Sequence, residues 1–382
     1  MTLALALGCA ALVCGCGSRP TLVSPPCTTA VAAAPQLSGV RTTLTKLPAS
    51  PFGVVSSAGF SFVTVGGYTG LNELWVYRDS GVHPRLVRRF ALPISGAAGE
   101  AVTPDGRLLL VAAGSGVTVV DIRRARSGAP DAVLGNLQAV APSAQTGSLD
   151  PRSAIEVAVS PDSRFAFVSL EYFGTVAVFD LRAARAAGWK RSGSLGMIPI
   201  GLVDVGVAVS PDGRSLYVTR AASRFGQPPR EGTLDVIDLR QAETRPASAV
   251  VKRVGAGCDP VRVSVAADGE TVWVTARASN ALLGFSGPRL SLVRVVPVGQ
   301  APVGLTLLDG GRRIMVLNSN RFGVTGASPS LSLVDVKRGK LLGTIRAGAF
   351  PREAAVSSDR RTVLITNWTS QELEAIRLDS LP

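Results

Sequence analysis

An all-β fold, a seven-bladed β-propeller, is predicted by three observations in the 382-residue chain. First, strand-sized apolar runs recur in pairs around a Pro-Asp-Gly-type turn, as in VAVSPDSRFAFVS at 157–169 and VAVSPDGRSLYVT at 207–219. Alternating apolar residues bounded by turn residues mark half-buried strands. Second, the turn aspartates Asp105, Asp162, Asp212, Asp268 and Asp359 are separated by 57, 50, 56 and 91 residues, the last gap covering two units. Four strands per unit at a period of roughly 40–50 residues is propeller spacing. Third, no stretch holds a helical 3.6 period for long, and 41 Gly and 25 Pro are spread along the chain, as many tight turns require. One four-stranded blade cannot bury both faces alone, so blades stack face to face in a ring.

Taken in order, residues 1–16 read as an export signal. Leu3 to Val13 is apolar and of signal-peptide length, too short to cross a bilayer as a permanent helix. The run closes on Val13-Cys14-Gly15-Cys16 and continues as Gly17-Ser18. A branched apolar residue, a small residue and Gly ahead of a Cys resemble the bacterial lipobox. That resemblance implies lipidation at Cys16, with Cys9 as the alternative, and an exported, membrane-anchored lipoprotein on the extracytoplasmic side. A plain cleaved signal peptide is the competing reading. Residues 17–40 are rich in Pro, Ser, Thr and Ala without periodicity and are expected to form a flexible linker. Of five cysteines, four lie in the first 27 residues and only Cys258 sits in the body. Neither a disulfide framework inside the fold nor a Cys metal site is expected. Cys27 lies in the linker, either free or paired with something else.

The folded domain spans 41–382. Aligned on the first turn, its units begin at 51–65, 99–113, Ala154, Asp204, 260–276, 302–318 and 351–367. Each carries a third phrase: VTVVDI (117–122), VAVFDL (176–181), LDVIDL (234–239), LSLVDV (331–336) and LEAIRL (373–378) are the clear ones. Asp121, Asp180, Asp238 and Asp335 in these phrases are expected to cap their own loop backbone. The segment 127–153, rich in Ala, Gly, Pro and Ser, is expected to be a loop between the third and fourth strands of unit two.

The phrases PVGLTL…IMVLN…LSLVDV and VGVAVSPDGRSLYVTR…LDVIDL resemble the YVTN-type β-propeller repeat, a relative of the WD40 and lactonase-like propellers, over about residues 41–380. Residues 41–47 precede unit one as 291–298 precede unit six, so this strand is expected to pair into the last blade and remove its open edge. The resemblance implies a central channel lined by first strands. It also implies a site on the face formed by the loops leading into those strands and the loops joining strands two and three. Six places before the turn, the units carry Gly53, Gly99, Glu156, Gly206, Arg262, Gly304 and Glu353. The glycines are read as keeping the channel mouth open. Glu156, Arg262 and Glu353 either line a pocket for a small polar or anionic ligand or pair with one another, and pairing has the edge. Asn318 and Asn367 end second strands on that face. Phe225 in ASRFGQPPREG (222–232) and Phe322 in SNRFGVTGASPS (319–330) are candidate aromatic anchors.

The net charge of +13 is almost all an Arg excess. The arginines are scattered singly, without interleaved aromatics, which favours an Arg-rich soluble surface over a nucleic-acid footprint. The single histidine, His83, sits in a turn, so histidine-dependent propeller chemistry and a Ser-His-Asp triad have no support. No Gly-rich phosphate loop leads from a strand into a helix. These readings converge on a cell-envelope lipoprotein whose propeller is a binding or interaction scaffold, with no cofactor and no metal. Its partner is an unidentified protein or a small polar or anionic ligand, and it meets the membrane through its lipid anchor. The alternative is a lactonase-like hydrolase with Glu156, Glu353, Asp204, Asn318 and Asn367 around a hard cation, although nothing in their spacing demands it. A third reading is electrostatic docking to an anionic wall polymer.

Overall fold

The computed structural model describes residues 22–382 apart from 29, 67–69, 140–152, 190–192, 202, 224–225, 288 and 322. The lipobox, with Cys16 and Cys9, therefore lies outside the described residues. Strand β1 (Thr42–Lys46) precedes blade 1, which comprises β2 (Pro51–Ser57), β3 (Phe60–Val65), β4 (Glu73–Arg78) and β5 (Arg85–Ala91). Blade 2 comprises β6 (Glu100–Val102), β7 (Leu108–Ala113), β8 (Gly116–Asp121) and β9 (Val133–Gln138). Blade 3 comprises β10 (Ala154–Val159), β11 (Phe165–Leu170), β12 (Thr175–Asp180) and β13 (Ser194–Pro199). Blade 4 comprises β14 (Asp204–Val209), β15 (Ser215–Arg220), β16 (Glu231–Asp238) and β17 (Val250–Cys258). Blade 5 comprises β18 (Pro260–Val265), β19 (Thr271–Ala276), β20 (Ala281–Ser286) and β21 (Ser291–Pro297). Blade 6 comprises β22 (Pro302–Leu308), β23 (Arg313–Asn318), β24 (Ser330–Asp335) and β25 (Lys340–Arg346). Blade 7 comprises β26 (Pro351–Val356), β27 (Thr362–Asn367) and β28 (Glu372–Arg377), with β1 as its outermost strand.

Seven antiparallel four-stranded sheets thus form a ring, a seven-bladed β-propeller. The closing strand is in register from Thr42↔Ile376 to Lys46↔Glu372. The middle strands of each blade are apolar almost throughout because both sheet faces are covered. Phe62, Leu74 and Val76 of blade 1 meet Leu109, Val111 and Val120 of blade 2, and the same kind of layer fills the gap between blades 3 and 4.

The recurring turn phrase is a side-chain-closed turn. The Oδ1 of Asp105, Asp162, Asp212, Asp268 and Asp359 accepts the backbone N–H two residues on at 2.9–3.1 Å. Thr103, Ser160, Ser210 and Ser357 donate their hydroxyls to the same oxygens at 2.5–2.6 Å. These bonds, from Ser210 first and then the Arg214 N–H, hold the Asp212 carboxyl below its usual range. Asp121, Asp180 and Asp238 do more than close turns. They cap three short helices, α1 (Ile122–Ser127), α2 (Leu181–Ala186) and α3 (Leu239–Thr244), by accepting the N–H groups of Arg124, Ala183 and Gln241. Six residues are too few to show a helical period, so the sequence reading missed these helices.

Two expectations are corrected. The segment 127–153 is not one loop between the third and fourth strands of unit two, because β9 lies inside it. That strand is hard to read because Gly135 interrupts it. The glycine is required there, since a Cβ would sit 2.7 Å from the Cβ of Trp189. Residues 140–152 lie outside the described residues. The second correction concerns the linker. From residue 24 the chain does not run free but lies along blades 4 to 6. The Ser24 hydroxyl accepts the Gly257 N–H at 2.8 Å, and the N–H groups of Thr28 and Leu37 donate to Ala278 and Thr344 carbonyls, each at 2.8 Å. Asn280 Nδ2 donates to the carbonyls of Thr28 and Ala30. Cys27 is joined to Cys258 by a disulfide, with 5.3 Å between Cα atoms. A segment without period of its own satisfies its backbone on the propeller instead.

Candidate functional site

The channel is built by a repeated irregularity. In six blades the pairing of first and second strands slips near the start of the first strand, for example between Ala154 and Val157 and between Pro260 and Val263. Such a bulge leaves a backbone N–H without a ladder partner. In five of these blades the fifth residue of the second strand takes it. Thr64, Ser169, Thr219, Thr275 and Thr366 accept the N–H groups of Gly53, Glu156, Gly206, Arg262 and Glu353 at 2.7–3.1 Å. Four of these hydroxyls then donate to the next blade: Thr64 to the Ala98 carbonyl, Ser169 to Val205, Thr219 to Val261 and Thr366 to Phe52. Each bond contributes about 0.5–1.5 kcal/mol and stitches neighbouring blades. The sequence signal for this network is a Thr or Ser recurring at one position of the second strands.

The glycines at the channel mouth have a different role from the one expected. A Cβ on Gly53, Gly99, Gly206 or Gly304 would lie 2.3–2.7 Å from a backbone carbonyl oxygen of the following blade. These positions are glycine because inner strands approach closely there, not to keep the mouth open.

Glu156, Arg262 and Glu353 meet one another. They come from blades 3, 5 and 7, so their contact spans the channel. Arg262 Nη1 lies 2.9 Å from Glu156 Oε2, and Nη2 pairs with Glu353 Oε1. The Arg262 side chain is 8% exposed and the two carboxylates 15% and 16%. Burial pushes the Glu156 carboxyl up against the opposing pull of Arg262 and Arg352, and burial pushes the Arg262 guanidinium down. Nearby Glu100 is held well above the usual carboxylate range, by burial first and by Glu156 second. The three residues are an electrostatic bolt across the lumen.

The remaining sequence candidates do not join them. Asn318 and Asn367 are fully buried between strands. Asn318 Nδ2 donates to Ser332 Oγ at 2.9 Å and Asn367 Nδ2 to Glu374 Oε2 at 2.9 Å. Glu156, Glu353, Asn318 and Asn367 therefore do not converge on a cation, and among the described residues no group of three or more His, Cys, Asp and Glu is placed to hold a metal. Phe225 and Phe322 lie outside the described residues. His83 is exposed in its turn, its N–H directed to the Ser80 carbonyl.

A cavity of about 780 Å³ opens on the predicted face, over blades 3 to 6. Val203, Val205, Ala221, Val261, Ala278 and Val324 give it apolar walls. Glu171, Asp259, Arg277 and Arg321 supply charge, and Cys27 and Thr28 form part of its rim. Asp259 is buried, receives the Ser223 hydroxyl and pairs with Arg277 Nη2 at 3.3 Å. Burial, then repulsion from Arg277, pushes the Arg321 guanidinium down, with Glu171 opposing. Four loops from different blades build this cavity, so no local sequence pattern marked it.

No family model and no curated protein matches the chain. Solved structures do. A chain of Kuenenia stuttgartiensis hydrazine synthase superposes with a TM-score of 0.65 at 17% identity, covering 88% of this chain and 98% of that one. A chain from the crystal structure of a mitotic checkpoint complex also gives 0.65, at 14% identity and 99% coverage of both chains. The likeness is one of fold alone. Two such different assemblies sharing the ring shows how little the ring says about function.

Proposed function

We propose that this protein is an exported lipoprotein whose propeller is a binding scaffold, with a small ligand held in the cavity over blades 3 to 6. The observation that carries the reading is the cavity itself. Its volume falls within the roughly 300–1,000 Å³ of small-molecule sites. Its apolar walls and fixed opposite charges suit a ligand with an apolar body and a polar or zwitterionic head. The lactonase-like alternative is not adopted, because its two carboxylates are engaged by Arg262.

Export is supported by the apolar run at 3–13 and by the Cys27–Cys258 disulfide, a bond that persists in oxidising compartments. With Cys16 lipidated, seven residues would separate it from the first docked residue, Ser24. They could span at most about 25 Å, which would hold the cavity face towards the membrane. Cys16→Ala is expected to move the protein from the membrane to the soluble fraction. A variant that stays with the membrane after carbonate washing would refute anchoring at Cys16.

For the ligand, protein taken gently from its native envelope is expected to carry a bound small molecule, detected by native mass spectrometry. Val324→Trp, which adds bulk at the partly exposed cavity wall, should lose that mass while the fold is kept. An identical mass on both proteins would place binding elsewhere, and no mass on either would count against the site.

A further inference from the structure

On the opposite face of the ring, where the Asp turns and the short helices lie, arginines that are scattered in sequence come together. A groove of about 500 Å³ between blades 2 and 3 is lined by Arg107, Arg123, Arg124, Arg126 and Arg185, with Trp189 beside them and Asp121 as the only acid. Asp121 is engaged in capping α1. A second hollow of about 350 Å³ shares Arg107, Arg185 and Trp189 and adds Arg164 and Arg182. Its acids, Asp105 and Asp162, accept hydroxyls within their own turns. The repeat writes this convergence: Arg107 and Arg164 each stand two places after a turn Asp, and Arg123 and Arg182 two places after a third-strand Asp.

Several of these cations are uncompensated. Arg107 pairs with Asp105 at 3.7 Å, Arg124 with Asp131 at 2.9 Å and Arg164 with Asp180 at 3.0 Å. Among the described residues, Arg123, Arg126, Arg182 and Arg185 enter no ion pair. Arg126 is held instead over the Phe60 ring, at 4.8 Å from its centroid. Guanidinium groups gathered in a concavity repel one another until an anion enters. Their planar forks take phosphate oxygens as two-point partners.

We propose that this groove binds a linear, phosphate-bearing polyanion, a function separate from the ligand cavity. Two linked hollows suit a chain more than a single small anion. A bilayer is disfavoured by shape and chemistry, since the groove is concave and no exposed large apolar side chain lines it. On the anchoring read above, this face also points away from the membrane.

The test is calorimetric titration with long-chain inorganic polyphosphate, over a range of salt. Wild type should bind, and the affinity should fall as salt rises. The exposed double variant Arg182→Glu, Arg185→Glu should weaken binding by about tenfold or more, with its melting temperature unchanged. A charge-matched control, Arg294→Glu with Arg346→Glu on blades 5 and 6, should bind as wild type does. Absence of binding at low salt, or equal loss in both variants, would overturn the proposal. So would anionic phospholipid vesicles that bind through Arg182 and Arg185 when polyphosphate does not.

Discussion

Arg262→Ala is expected to destabilise the propeller by about 3–5 kcal/mol, measured by urea denaturation at neutral pH. The substitution removes one cation and strands two carboxylates, Glu156 and Glu353, in a lumen where each is mostly buried. Size is not the cause, and a second variant separates the effects. Replacing all three members at once, by Glu156→Gln, Arg262→Met and Glu353→Gln, should recover most of the loss, because no unpaired charge remains. If the triple variant is as unstable as Arg262→Ala, the bolt acts by packing and the electrostatic account fails. The pH dependence has a definite sign. Glu100 and Glu156 have folded pKa values above their unfolded ones. Between those values the folded state holds more protons, so stability falls as pH rises through that window. Without Arg262 the opposing pull on Glu156 is lost, and the fall should steepen. A flat profile from pH 5 to 8 in Arg262→Ala would contradict the buried-carboxylate picture.

The fold was legible because its determinants are local and repeated. A Pro-Asp-Gly turn closes on its own side chains within a few residues, so each copy announces itself. The closing strand was legible for the same reason, as a fourth-strand phrase displaced to the front of the chain. What stayed hidden depends on contacts between units. A glycine at the channel mouth looks the same in sequence whether it opens space or admits a neighbouring backbone, and only the carbonyl 2.6 Å from a Cβ on Gly99 decides it. The pairing of Glu156, Arg262 and Glu353 could be weighed, since all three share one repeat position. Asn318 and Asn367 misled because a polar residue ending a strand can turn inward as easily as outward. The Arg groove was missed because scattered arginines read as a solvated surface until the ring brings blades 2 and 3 together.

Reducing the Cys27–Cys258 disulfide is expected to lower stability by about 2–5 kcal/mol, with the upper end set by the chain-entropy argument for a very long loop. The bond links residues 231 apart and so closes a loop through blades 1 to 4 in the unfolded chain. The pairing was invisible to cysteine counting, because Cys27 sits in a segment that reads as a tether and its partner lies beyond four blades of chain. Urea denaturation with and without reductant measures the effect. Thiol labelling of the unreduced, unfolded protein checks the bond directly, and labelling at Cys258 would refute it. The Cys258→Ser variant tests a finer point. Residues 24–37 keep their hydrogen bonds to Gly257, Ala278 and Thr344 without the bond, so the segment should remain docked. Its Cys27–Thr28 stretch, however, forms part of the cavity rim. Loss of the bond should therefore quicken amide exchange at Thr28 and Ala278 far more than at Leu37, whose side chain is packed against Leu333 and Ile345 of blade 6. Equal exchange at both places would mean that the hydrogen bonds, not the disulfide, hold that rim of the cavity.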